Sequence, residues 1–114
     1  MIFKDGDSPP FNVGMTSVNP LLPTASAFLG ECMGTFLLVW TVIMTAVNAK
    51  SIAGNIAPMA IGLSVALANF VLIPLTGCGI NPARALGPML VVLITGGKAG
   101  LEGWWVYYTG PFVG

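Results

Sequence analysis

Charge is what this sequence has least of. Only 7% of its 114 residues are charged, against 55% hydrophobic, and the formal net charge is zero. A water-soluble domain carries about a quarter of its residues charged. No water-facing surface can be assembled here from Lys4, Asp5, Asp7, Glu31, Lys50, Arg84, Lys98 and Glu102. Residues 51 to 83 hold no charge at all, and residues 32 to 49 form a second uncharged run. There is no basic patch, which excludes nucleic acid as a partner. Histidine is absent, so a His general base, a Ser-His-Asp triad and the usual zinc site cannot be built. Cys32 and Cys78 lack metal-ligand spacing and give no disulfide framework. No nucleotide motif, no chain of proton-relay carboxylates and no cofactor site occurs, so the chain reads as neither an enzyme nor an energised pump. What remains is a polypeptide whose partner is the lipid bilayer.

Residues 1 to 23 do not form a signal peptide, because Asp5, Asp7, Pro9 and Pro10 interrupt the place of an apolar core. With Pro20 and Pro23 blocking helix until about Thr24, they predict an irregular, water-exposed segment. Residues 25–47 then give a largely apolar run of 23 residues, about 34 Å of helix at 1.5 Å per residue, enough to cross a hydrocarbon core. Gly30 and Gly34 within it are spaced to let a neighbouring backbone approach. Residues 56–75 predict a second spanning helix, with Pro58 in its first turn, where the missing N–H is harmless. The polar link between them carries Lys50, which by the positive-inside rule marks a cytoplasmic loop. Residues 82–95 are apolar but too short to span, and predict a re-entrant half-helix broken afterwards by Gly96, Gly97 and Gly100. Residues 103–114 read as the start of a further membrane helix. The aromatics Trp104, Trp105, Tyr107 and Tyr108 are most simply taken as an interfacial belt.

Chemistry concentrates between Thr76 and Ala85, in TGCGINPARA. Asn81 suits an N-cap and Pro82 a first helical residue. Ahead of them, Gly77 and Gly79 permit extended or left-handed backbone whose carbonyls stay unpaired. Such backbone survives in a bilayer only when buried in protein or lining a water-filled cavity. Carbonyls from Gly77, Cys78, Gly79 and Ile80, an amide donor from Asn81 and a cation at Arg84 would together form a narrow polar lane. That lane would pass small neutral hydrogen-bonding molecules and repel cations, protons included. A membrane-buried structural turn is the alternative reading of the same residues. Glu31, near one end of the first span, fits either an interfacial position or a buried functional acid.

GCGINPAR, preceded by APMAIGLSVAL (residues 57–67) and followed by YYTGPFVG (residues 107–114), resembles the second half of an aquaporin, a member of the major intrinsic protein family. The resemblance implies an all-α membrane protein of six helices and two re-entrant half-helices in two inverted repeats, assembled as a homotetramer. This chain would supply residues 1–24 as an extracellular loop-like segment and residues 25–114 as a partial transmembrane region. That region holds two spanning helices, one half-helix and the start of the last helix of a longer parent. The resemblance implies passive passage of water, with Asn81, Pro82 and Ala83 as the pore-lining triplet and Asn69, Cys78 and Arg84 at the selectivity filter. Cys78, Ala85 and the aromatic pair Tyr107–Tyr108 match water channels. Asn69 stands where water-selective members carry histidine and glycerol channels glycine, which keeps glycerol, hydrogen peroxide or another small neutral solute as an alternative permeant. Met89 matches neither type. Glu31 resembles the buried glutamate that accepts hydrogen bonds from a pore-lining loop, and would be unpaired or protonated if that loop belonged to the absent half. A further alternative is a truncated, non-conducting polypeptide that associates with full-length subunits.

Overall fold

The computed structural model describes residues 14–94 and 102–114. Four α-helices follow in order: α1 (Thr24–Val42), α2 (Ala57–Thr76), α3 (Pro82–Ile94) and α4 (Val106–Val113). Helix α1 starts directly after Pro23, whose carbonyl accepts from the amides of Ser26 and Ala27. It runs into a π-helical turn, Ile43–Val47, so the first span keeps its expected length while changing its winding near the end. A 3₁₀ turn, Gly54–Ile56, leads into α2. With these turns the two segments are 24 and 23 residues long, about 35 Å each at helical rise. Helix α3 begins at Pro82, as the Asn-Pro pair predicts, and has 13 residues. Thr95 and the glycines after it lie outside the described residues.

Helix α1 is the central element, packed against both α2 and α4. The α1–α2 core holds Ala68, Leu72, Cys78 and Ile80, flanked by Leu38, Val65 and Leu75. Gly30 and Gly34 act here differently from expectation: they receive a side chain, not a backbone. A Cβ on Gly30 would stand 2.9 Å from Leu72 Cδ2, and one on Gly34 would stand 2.6 Å from Leu72 Cδ1 and 2.9 Å from Ile80 Cγ2. The close backbone approach occurs instead at Gly110 of α4, where a Cβ would lie 2.8 Å from Glu31 Cβ and 3.4 Å from the Phe28 carbonyl. Cys32 lies at the same contact, its backbone facing Gly110. The outward faces of α1 and α2 present Met33, Phe36, Trp40, Leu63, Phe70 and Ile73, a surface suited to lipid or to further helices.

The described part of the segment before α1, residues 14–23, is largely exposed as expected, with exceptions at Thr16 and Asn19. It is irregular, but Thr16 is 4% exposed, and Asn19 lies across the end of α2, its amide donating to the Leu75 carbonyl (2.9 Å) and its side chain to the Pro74 carbonyl (3.3 Å). The last turn of a helix leaves carbonyls without intrahelical donors, and Asn19 satisfies two of them.

Candidate functional site

Helix α2 ends because Gly77 turns left-handed, with φ of 77°, and its amide closes back on the carbonyls of Leu72 and Ile73. Two further residues then adopt positive φ without being glycine: Cys78 at 57° and Ile80 at 40°. For a β-branched residue this is a strained conformation, held only where the surroundings over-determine it.

The surroundings are the carboxylate of Glu31, which has no exposed surface. Its Oε1 accepts from the Thr76 hydroxyl (2.5 Å) and the Gly79 amide (2.9 Å), and its Oε2 from the Ile80 amide (2.6 Å). The Thr76 hydroxyl in turn accepts from the Cys78 amide at 3.2 Å. Glu31 is therefore neither interfacial nor unpaired: the loop it serves belongs to this same chain. Thr35, one turn on, donates to the carbonyl of Glu31 itself, the ordinary habit of a threonine in a membrane helix.

Planarity carries this arrangement through to the carbonyls. In a trans peptide the N–H of one residue and the C=O of the preceding one point in opposite directions. The amides of Cys78, Gly79 and Ile80 all turn toward Thr76 and Glu31. The carbonyls of Gly77, Cys78 and Gly79 consequently face away from the acid, in sequence. No such constraint fixes the carbonyl of Ile80.

At the head of α3, Asn81 caps the helix. Its Oδ1 accepts from the amides of Ala83 (2.9 Å) and Arg84 (3.3 Å). With the oxygen committed to the helix, the side-chain amide Nδ2 is turned outward and keeps its two hydrogens. Arg84 is exposed, and its Nη1 donates to the Gly14 carbonyl at 3.2 Å. Among the described residues its partner is a neutral carbonyl, so its positive charge is not cancelled. Pro82 opens the helix and Ala83 is exposed beside it.

The remaining filter candidates have partners of their own. Cys78 is 2% exposed and belongs to the α1–α2 core. Asn69 lies half-buried on α2, its amide donating to the Val65 carbonyl one turn back (2.8 Å). Among the described residues no hydrogen bond joins Asn69 to Cys78 or Arg84. Nor do three His, Cys, Asp or Glu side chains group there to hold a metal.

The aromatic cluster divides. Trp104 and Trp105 are exposed, whereas Tyr107 is 2% exposed, with its hydroxyl donating to the Thr76 carbonyl at 2.6 Å. Tyr107 is thus a buried contact of the loop and not part of an interfacial belt. Sequence reasoning singles out Thr76 and Tyr107 but without these contacts, and it does not single out the carbonyl of Gly14 at all. Thr76 had a local cue, a hydroxyl at the last position before a helix-ending glycine. The other two meet their partners only through the tertiary fold.

A family model described as Major intrinsic protein matches residues 7–114. Among curated relatives, Aquaporin PIP1-6 of Zea mays is 39% identical over 106 residues, covering 89% of this chain and 34% of that protein. Aquaporin-1 of Sus scrofa is 36% identical over 103 residues, covering 90% of this chain and 36% of that protein. Aquaporin-1 of Homo sapiens is 40% identical over 84 residues, covering 74% and 29% respectively. The chain spans about a third of the length of these relatives. A match over nearly the whole sequence, on helices apolar enough to cross a bilayer and on a loop built around a buried acid, places the chain among integral membrane proteins of the major intrinsic protein family.

Proposed function

We propose that this chain is the C-terminal repeat of a two-repeat channel that passes water passively. Carrying the proposal is the direction of the loop peptides: three amides are drawn to Thr76 and Glu31, which leaves the carbonyls of Gly77, Cys78 and Gly79 aimed the other way. Water moving along such a row donates to each carbonyl in turn. At the head of α3 it accepts from Asn81 Nδ2, which reverses the demand on its hydrogens and fixes its orientation. A water held there by its oxygen cannot relay a proton. Arg84 and the partly positive N-terminus of α3 add an electrostatic barrier to cations at the same level. The aquaporin names of the relatives support this reading, as does the NPA triplet Asn81, Pro82 and Ala83.

Filter membership of Asn69, Cys78 and Arg84, and assembly of the intact parent as a homotetramer, are parts of the same proposal. The test is stopped-flow light scattering on vesicles holding the two-repeat protein that contains this sequence. Water permeability well above that of protein-free vesicles, with a low activation energy, is the expected result. Permeability equal to the bare bilayer refutes a conducting role and favours a non-conducting polypeptide that binds full-length subunits. A second reading rests on Asn69, whose amide is tied to its own helix and leaves more room than a histidine ring. If the native permeants include glycerol or hydrogen peroxide, Asn69→His reduces solute swelling while sparing water; equal effects on both remove that alternative.

A further inference from the structure

The last turn of α2 has an unusually complete set of carbonyl partners. The carbonyls of Leu72 and Ile73 take the Gly77 amide, and those of Pro74 and Leu75 take Asn19. The carbonyl of Thr76, the last of the helix, takes the Tyr107 hydroxyl at 2.6 Å. Thr76 is also the residue whose own hydroxyl bridges Glu31 and the Cys78 amide, so its peptide is the hinge from which the positive-φ loop departs. Tyr107 touches that loop a second time. A Cβ on Gly79 would stand 2.7 Å from Tyr107 Cδ1 and 3.0 Å from Glu31 Oε2, so ring and carboxylate grip Gly79 from two sides and leave space for glycine alone.

We infer that Tyr107 is a positioning residue for the conducting loop: its hydroxyl fixes the Thr76 peptide and its ring seats Gly79, and together they aim the carbonyls of Gly77 and Cys78. This inference rests on the reading that those carbonyls line the water path. Tyr107 touches no permeant; it acts through the loop. The neighbouring residue supplies an internal control. Tyr108 carries the same side chain one position on, and its buried hydroxyl has no hydrogen-bond partner among the described residues. Removing an unpaired buried hydroxyl is neutral or stabilising, while removing a paired one strands the partner.

The experiment compares Tyr107→Phe and Tyr108→Phe in the two-repeat protein, by amide hydrogen exchange and by vesicle permeability. In Tyr107→Phe the amides of Cys78, Gly79 and Ile80 exchange about tenfold faster, and the ratio of glycerol to water permeability rises severalfold. In Tyr108→Phe both stay at the wild-type value. A purely structural role would reduce the amount of folded protein and leave the permeability ratio per channel unchanged. Wild-type exchange in the loop of Tyr107→Phe overturns the inference. If the unsubstituted protein does not conduct, the channel reading falls, and the exchange data still decide whether Tyr107 holds the loop. Should Tyr107→Phe fail to fold, a ¹³C label on the Thr76 carbonyl of the unsubstituted protein gives a second reading. An amide I band at a hydrogen-bonded frequency supports the contact, and a free-carbonyl band overturns it.

Discussion

Position 31 admits few residues, because one side chain with no exposed surface meets three donors there. Glutamine keeps one acceptor oxygen and turns an NH₂ toward an N–H. Glu31→Gln is therefore expected to cost about 1–3 kcal/mol through a stranded buried donor, measured as a lower thermal unfolding midpoint, with Glu31→Ala lower still. Arg84 predicts differently, since it is exposed and carries no structural burden comparable to that of Glu31. Arg84→Ala should raise proton or ion leak severalfold in the intact channel while leaving water flow largely unchanged, read by pH-dye quenching in vesicles. An unchanged leak argues against its place in the filter. Asn81 and Arg84 could be recognised from sequence because a cap and a first-turn charge are local features. The individual partners of Glu31 could not, because they lie 45, 48 and 49 positions away and local spacing carries no trace of them; only the resemblance points to a loop.

At the scale of the helices, hydropathy and proline placement were enough to find α1, α2 and the start of α3, since a 20-residue apolar run and an Asn-Pro pair have few other uses in a bilayer. What each helix packs against was not legible. The Gly30–Gly34 spacing announces a close approach without saying that Leu72 makes it. The seating of Tyr107 likewise depends on another element, the end of α2. Two alanine substitutions separate these levels. Gly34→Ala forces Leu72 and Ile80 to move and should destabilise by about 1–3 kcal/mol as an overpacked site. Gly62→Ala meets nothing within 4 Å and should stabilise by about 0.5–1 kcal/mol through helix propensity. Denaturation in a common detergent measures both, and equal shifts would mean that the helix contact at Gly34 is not formed.

For the whole molecule, the expectation of an all-α membrane chain of the aquaporin family holds, while in the described part of the segment before α1 Thr16 is buried and Asn19 is bound to the end of α2. The site and the core share residues, and Cys78 is the clearest case, a thiol of the α1–α2 core within the loop read as a conduit. Mercurials should inhibit the intact channel through Cys78, slowly because the thiol is buried. Persistence of equal inhibition in Cys78→Ser would move the sensitive thiol elsewhere. The loop also imposes an order on biosynthesis. Its acceptor on α1 is made nearly fifty residues before its amides, and its anchor on α4 follows Thr76 by 31 positions. Contacts of such long range form late, after the ends they join are already in place. A nascent chain halted short of Tyr107 would hold two inserted helices and a loop with its final anchor missing, so ribosome-arrested intermediates should show that loop open to protease until α4 emerges and closes it.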